Sequence, residues 1–213
     1  MASRGVLRTL LLNALGTSSD DPAFTSAILN PLLQSAVDAI TFDIHQANPS
    51  YAYSTVTLAA DSATSHVYSL AAQAPTFQRW LEVRLEAEDG LELAEARAED
   101  LRRSGSDHFT IIGPDATAQL VTSPDTEAGI ALWMRYAAWS ADMSDDADVP
   151  SHIPAKFHDV IWLETLFAFG LGGEQRLPPE LFRRWTDRRA QLIAHVSQRG
   201  VQQRQTRITV SYE

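Results

Sequence analysis

Apolar residues recur at steps of three and four in four places along the chain, and the intervals between them alternate or turn polar. Residues 4–15 carry Val6, Leu7, Leu10, Leu11, Leu12 and Leu15 and predict a short amphipathic helix closed by Gly16. A polar connection through Thr17 to Pro22 follows. From about 24 to 47, Ile28, Leu32, Ala36, Ala39, Ile40 and Ile44 mark one buried face, with Pro31 early in the helix and Asn48-Pro49 as its stop. Residues 153–171 are apolar nearly all round and open on Ile153-Pro154, which predicts a central helix. A last helix is predicted over 178–199. It opens on Pro178-Pro179, buries Leu181, Phe182, Trp185, Leu192, Ile193 and Val196, and stops at Gly200.

Between the second and third of these helices the period changes to two. Tyr51–Leu58 alternates and is rich in β-branched and aromatic residues, so it reads as a strand. Val67–Leu70 is a weaker strand. Trp80–Glu86 alternates apolar with charged residues, which predicts one buried and one wet face. Phe109–Ile112, Ala118–Val121 and Ile130–Tyr136 are further strands, separated by Gly113-Pro114-Asp115 and Ser123-Pro124-Asp125 turns. Leu91–Arg103 consists of good helix formers and predicts one helix inside this β-rich stretch. The fold class that follows is α+β, mainly α: a helical bundle forming one domain over 1–200. A small antiparallel β-module is inserted at about 51–140, and an extended tail covers 201–213.

Charge changes the picture at the C-terminal end. The chain has 213 residues, 17 basic and 27 acidic, for a net charge of −10. Eight basic but only four acidic residues fall in 172–213, so that stretch carries +4 and residues 1–171 carry −14. An acidic body repels nucleic acid, which confines any such contact to the basic third. There is no cysteine, which excludes disulfides, thiolate zinc sites and thiol catalysis. The arginine-bearing last helix and the alternating Ile208, Val210 and Tyr212 of the tail together suggest a docking element. A terminal strand with no hairpin partner must pair with an edge of its own β-module or add to another chain. The candidate interface is therefore Arg183, Arg184, Arg188, Arg199, Arg204, Arg207, Ile208, Val210 and Tyr212.

Candidate chemistry is thin. Asp142, Asp145, Asp146 and Asp148 lack the glycine and closing glutamate of a calcium loop and read as a solvated, helix-capping linker. His152 and His158 are six apart, not at the i, i+4 spacing of helical metal ligands. Gly170-Leu171-Gly172-Gly173 follows a helix rather than a strand and reads as a helix end. No nucleophile elbow, phosphate loop or dinucleotide fingerprint occurs. The expectation is no catalytic residue, no metal and no cofactor. No apolar run reaches the ~18–20 residues of a membrane span.

The succession of elements resembles the bacteriophage head-to-tail adaptor (connector) family. The resemblance is carried by the N-terminal helices with Phe24–Asn30, then by Leu81-Glu82-Val83-Arg84 with Asp89–Leu93 and the strands leading to Met134-Arg135-Tyr136. An acidic loop before Ile153–Ile161, the last helix and the polar tail complete it. It covers most of the chain and rests on pattern. It implies a non-enzymatic virion protein of the head–tail neck, made in the bacterial host cytoplasm and assembled as a twelve-subunit ring beneath the portal, with tails reaching along the portal. The implied partners are the portal protein, neighbouring copies, and tail or nozzle proteins. DNA would be met only in passage through the lumen, and no membrane is involved. The alternatives are another neck or tail-completion protein, a ligand-binding domain, or a nucleic-acid module using Arg183, Arg184, Arg188 and Arg189.

Overall fold

A computed structural model describes residues 1–103, 105–114, 117–171 and 177–209, with side chains as far as Arg199. The fold is α+β and divides into two compact units. One is made from both ends of the chain, Met1–Tyr51 and Ser140–Glu213; the other is the inserted stretch Ala52–Trp139.

The first unit is helical. Helix α1 spans Arg4–Leu15 and α2 spans Ser26–Ala47, with a single 3-10 turn, Pro22–Phe24, between them. Asp21 starts that turn by accepting the Ala23 N–H. Gly16 ends α1 at φ 66°, a left-handed conformation that costs a glycine nothing. Helix α4, Asp159–Ala168, lies at the centre and touches α1, α2 and α5 (Pro179–Thr209). Seven of its ten residues are buried, as its near-continuous apolarity requires. Leu7, Leu11, Leu33, Val37, Ile40, Ile44, Val160, Ile161, Leu163, Leu166, Leu192 and Val196 form the core. Helix α5 does not stop at Gly200. Its backbone continues helical to Thr209, where an extended segment was expected; Val210 and Tyr212 lie outside the described residues.

The acidic linker is not merely solvated. The carbonyls of Asp148 and Asp146 accept the Arg4 and Gly5 N–H groups at 2.8 and 3.0 Å, capping α1 where Ser3 makes no side-chain bond. Arg8 grips the Asp146 carboxylate with two bonds of 2.8 and 2.6 Å, and Arg4 joins it at 3.2 Å. These bonds, the Arg8 hydrogen bonds above all, hold the Asp146 carboxyl below its ordinary pKa. At the start of α4, His158 is 3 % exposed. Its Nε2 lies 2.9 Å from the Ile153 carbonyl and its Nδ1 3.1 Å from the Ala2 N–H. The Ala2 carbonyl lies 3.2 Å from the same Nδ1, so backbone groups surround both ring nitrogens.

The second unit is built from two small sheets. Strands β1 (Tyr53–Leu58), β7 (Leu132–Ala138) and β3 (Phe77–Leu85) form an antiparallel sheet in the order β1-β7-β3. The other runs β2 (Val67–Ser69), β6 (Gln119–Thr122), β5 (His108–Ile112), β4 (Ala94–Glu95), with β4 parallel to β5 and the rest antiparallel. A four-residue helix, α3 (Leu70–Gln73), follows β2, so the predicted strand ends one residue early. Leu58, Tyr68, Val83, Phe109, Leu120, Leu132 and Met134 fill the interior.

Two expectations are corrected here. The charged face of β3 is not wet: Glu82 is 9 % exposed, bonded to Arg84 at 2.5 Å and to Arg135 at 2.8 Å, and Arg135 lies opposite it in register. And 91–103 is not a helix. Leu85 N–H bonds Leu91 O, Leu93 N–H bonds Val83 O, Ala94–Glu95 is a strand, and only Leu101–Arg103 makes a 3-10 turn. A helix there would stack Glu92, Glu95 and Glu99 at repulsive three- and four-residue spacings. The free edges of β3 and β5 offer the same backbone a ladder and give Leu93 a buried place, at 3 % exposure. Gly90 makes the turn possible, since a Cβ there would lie 1.8 Å from the Leu85 carbonyl oxygen. No helix among the described residues is long and apolar enough to cross a membrane.

Candidate protein interface

The arginines of α5 define the first part of the site, and three of them, Arg184, Arg188 and Arg189, pair with carboxylates of neighbouring helices. Asp159, the first residue of α4, accepts two bonds from Arg188, at 2.9 and 2.8 Å, and one from Arg184 at 3.2 Å. Arg188 also donates to the Lys156 carbonyl and lies over the Phe157 ring, 4.9 Å from its centre. Burial would raise the Asp159 carboxyl, but the hydrogen bonds and charges of Arg188 and Arg184 outweigh it and hold the pKa low. The next residue, Arg189, bridges Glu164 on α4, at 3.1 Å, and Asp43 on α2. Glu164 is 4 % exposed and also accepts the Trp185 Nε1–H at 2.8 Å. Arg189 thus ties α2, α4 and α5 together through two carboxylates.

Arg184 and Arg188, two of the expected interface arginines, thus pair with Asp159 and hold α5 to α4, with Arg184 still exposed. Arg183 is exposed, and no ion pair forms at it among the described residues. Arg199 is exposed and lies 5.9 Å from the centre of the Tyr51 ring. Arg204, Arg207 and Ile208 lie on the helical backbone of α5 beyond the described side chains. Near Arg199, His195 accepts from the Lys156 ammonium at 3.2 Å, and its pKa is lowered by burial and by the charges of Lys156 and Arg199, which keeps it neutral at pH 7.

Beside the exposed Glu180, Arg183, Arg184, Asp187 and Arg199, α5 presents one uncharged row outward. Phe182 is 53 % exposed; Thr186, Ala190 and Ala194 continue its row at intervals of four. Phe182 meets Phe167 and Trp185 edge-on, with ring centres 5.6 and 5.4 Å apart, so its position is fixed although it faces solvent. Beside this row Trp185, Arg189 and Ile193 complete a shallow groove of about 540 Å³. Helix α2 shows a second such face. Its exposed residues are Ser26, Ala27, Ile28, Pro31, Ser35, Ala39, Phe42 and Gln46, none of them charged. Asp38 and Asp43 sit on its flanks, half-buried. The sequence reading assigned Ile28, Ala39 and Phe182 to buried faces; their exposure appears only once the helices are packed.

No family model matches this chain, and no curated protein matches it. Among the described residues, no group of three or more His, Asp or Glu is arranged to hold a metal ion.

Proposed function

We propose that this protein is a structural virion component, a head-to-tail adaptor that forms a ring under the portal and joins the capsid to the tail. The observation that carries this reading is the uncharged exposed face of α2 together with the uncharged row Phe182, Thr186, Ala190 and Ala194 of α5, within one helical unit of a chain with net charge −10. Charge is what keeps such a surface soluble, and each of these helices lacks it along a row of side chains more than two turns long. Two different faces on one subunit suit a heterologous contact, in which the first face of one copy meets the second of the next. Repetition of that contact closes a ring. The helical unit is then a small bundle around α4 that carries the ring contacts. The chain beyond Arg199, with Arg204 and Arg207 and no acid before Glu213, is the arm that reaches partners.

The α5 groove favours this reading over a ligand-binding domain. Every described residue lining it comes from one helix, whereas a small-molecule site buries most of its ligand between several elements. The test is binding to portal rings. Full-length protein should be retained by immobilised portal and should be lost when Ala190→Glu or Phe42→Glu places charge on either face. Retention of both variants at the wild-type level would contradict the assignment of these faces.

A further inference from the structure

Two open sheets leave four edges in the second unit, and three of them are blunted. The β3 ladder shifts register twice, between Phe77 and Arg79 and between Trp80 and Glu82, and its outer side is covered by Leu91–Leu93. The β2 edge is covered by Asp61, whose N–H bonds the Val67 carbonyl and whose carboxylate accepts the Ser69 N–H. Strand β4 is two residues long and ends in a glutamate. Strand β1 has none of these defences. It pairs with β7 in unbroken register from Tyr53↔Ala137 to Leu58↔Leu132, and it contains no charge, proline or bulge.

The open part of this edge can be located. Ala59 is held on both sides by the Gln73 side chain, its N–H at 2.7 Å and its carbonyl at 2.8 Å, so a side-chain amide stands in for a neighbouring strand there. Backbone groups in a strand alternate sides. Tyr53, Thr55 and Thr57 therefore turn their N–H and carbonyl the same way as Ala59, and no described residue meets them. Their side chains are exposed, while Val56 packs against the interior.

We infer that this edge accepts the last residues of a neighbouring copy, Ile208–Tyr212, as an added strand. The inference rests on the ring reading above. Two properties of the sequence select this occupant. Ile-Thr-Val-Ser-Tyr has the alternation and β-branching of β1 itself, Tyr-Ser-Thr-Val-Thr-Leu. Charge is complementary as well: residues 52–139 hold thirteen acids against six arginines, while Arg199–Tyr212 holds three arginines and no acid. Occupation requires the end of α5 to unwind, and little opposes that. The last described buried residue of α5 is Val196, and Gly200, Thr206, Ile208 and Thr209 are poor helix formers.

The added strand places Ile208, Val210 and Tyr212 beside Val56, and Thr209 and Ser211 beside the exposed Thr55 and Thr57. The chain has no cysteine, so paired single-cysteine variants report this without background. Full-length Thr55→Cys is mixed with each of the single-cysteine variants at 208 to 212 in turn, assembled on portal rings and oxidised. Disulfide-linked heterodimers are expected at Thr209→Cys and Ser211→Cys, at least several-fold above those at 208, 210 and 212. Equal cross-linking at all five positions would overturn strand addition. A chain carrying both cysteines that closes only within itself would show that the tail occupies its own edge, and this too would overturn the inference. Rings that form without any cross-link would remove it while leaving the adaptor reading intact; failure to assemble with portal at all would remove the adaptor reading itself.

Discussion

Glu164 is the residue whose position most constrains α5. It is a carboxylate at 4 % exposure in the middle of an apolar helix, and it is tolerable there because Arg189 and Trp185 both donate to it. Arg189→Ala leaves the buried Glu164 with only the Trp185 N–H and no countercharge, and should cost about 2–3 kcal/mol in urea unfolding, a value reduced from that of a fully buried pair because Arg189 is partly exposed. Arg183→Ala, on the same helix, should change stability by less than about 0.5 kcal/mol. Equal costs would refute the division of α5 into clamp and free positions. Asp159 gives a pH signature. Its pKa is depressed in the folded state, so the stability it adds is fully present above the unfolded value of about 3.9 and is lost as pH falls through the lower folded value. Asp159→Asn should therefore be less stable than the parent at pH 7, and the gap should close on acidification below about pH 4. A gap that persisted at pH 2 would assign the effect to packing instead.

At the scale of elements, the sequence was most readable where one face of an element is buried. The periodicity of α1 and α2, Gly16 at the end of α1, the central α4 and the strand texture of β1, β3, β5, β6 and β7 follow directly from apolar spacing. Leu91–Arg103 shows where that reading stops. Its composition favours helix, but three strand-like contacts and crowded acids decide otherwise, and neither is visible from local propensity. Leu93→Ala should cost about 2–4 kcal/mol, and Leu91→Ala, at 57 % exposure, almost nothing. Equal costs for the two in urea unfolding would contradict the buried place of Leu93 against β3. The arginines of α5 were legible as a group but not in their role. Their partners Asp43, Asp159 and Glu164 are far off in sequence, and only packing joins them. Lone acids inside apolar helical stretches were the available signal. The open β1 edge had no sequence signal, because an edge strand differs from a central one only in what lies beside it.

At the scale of the whole molecule, the chain reads as a helical unit with an uncharged face on α2 and an uncharged row on α5, an acidic β unit with one open edge, and a basic arm. The proposed adaptor role uses each of these features as a place for another protein. A chain ending at Arg199 keeps every described buried residue and should melt within a few degrees of the full-length protein, yet lose assembly on portal rings. Normal assembly by that shortened chain would detach the arm from the function. The most direct test of the central claim is native mass spectrometry of the full-length protein, first alone and then with portal rings of the same phage. The account predicts a low-order species alone and a single fixed number of copies on each portal ring. Free protein beside unoccupied portal rings, at concentrations well above micromolar, would contradict it.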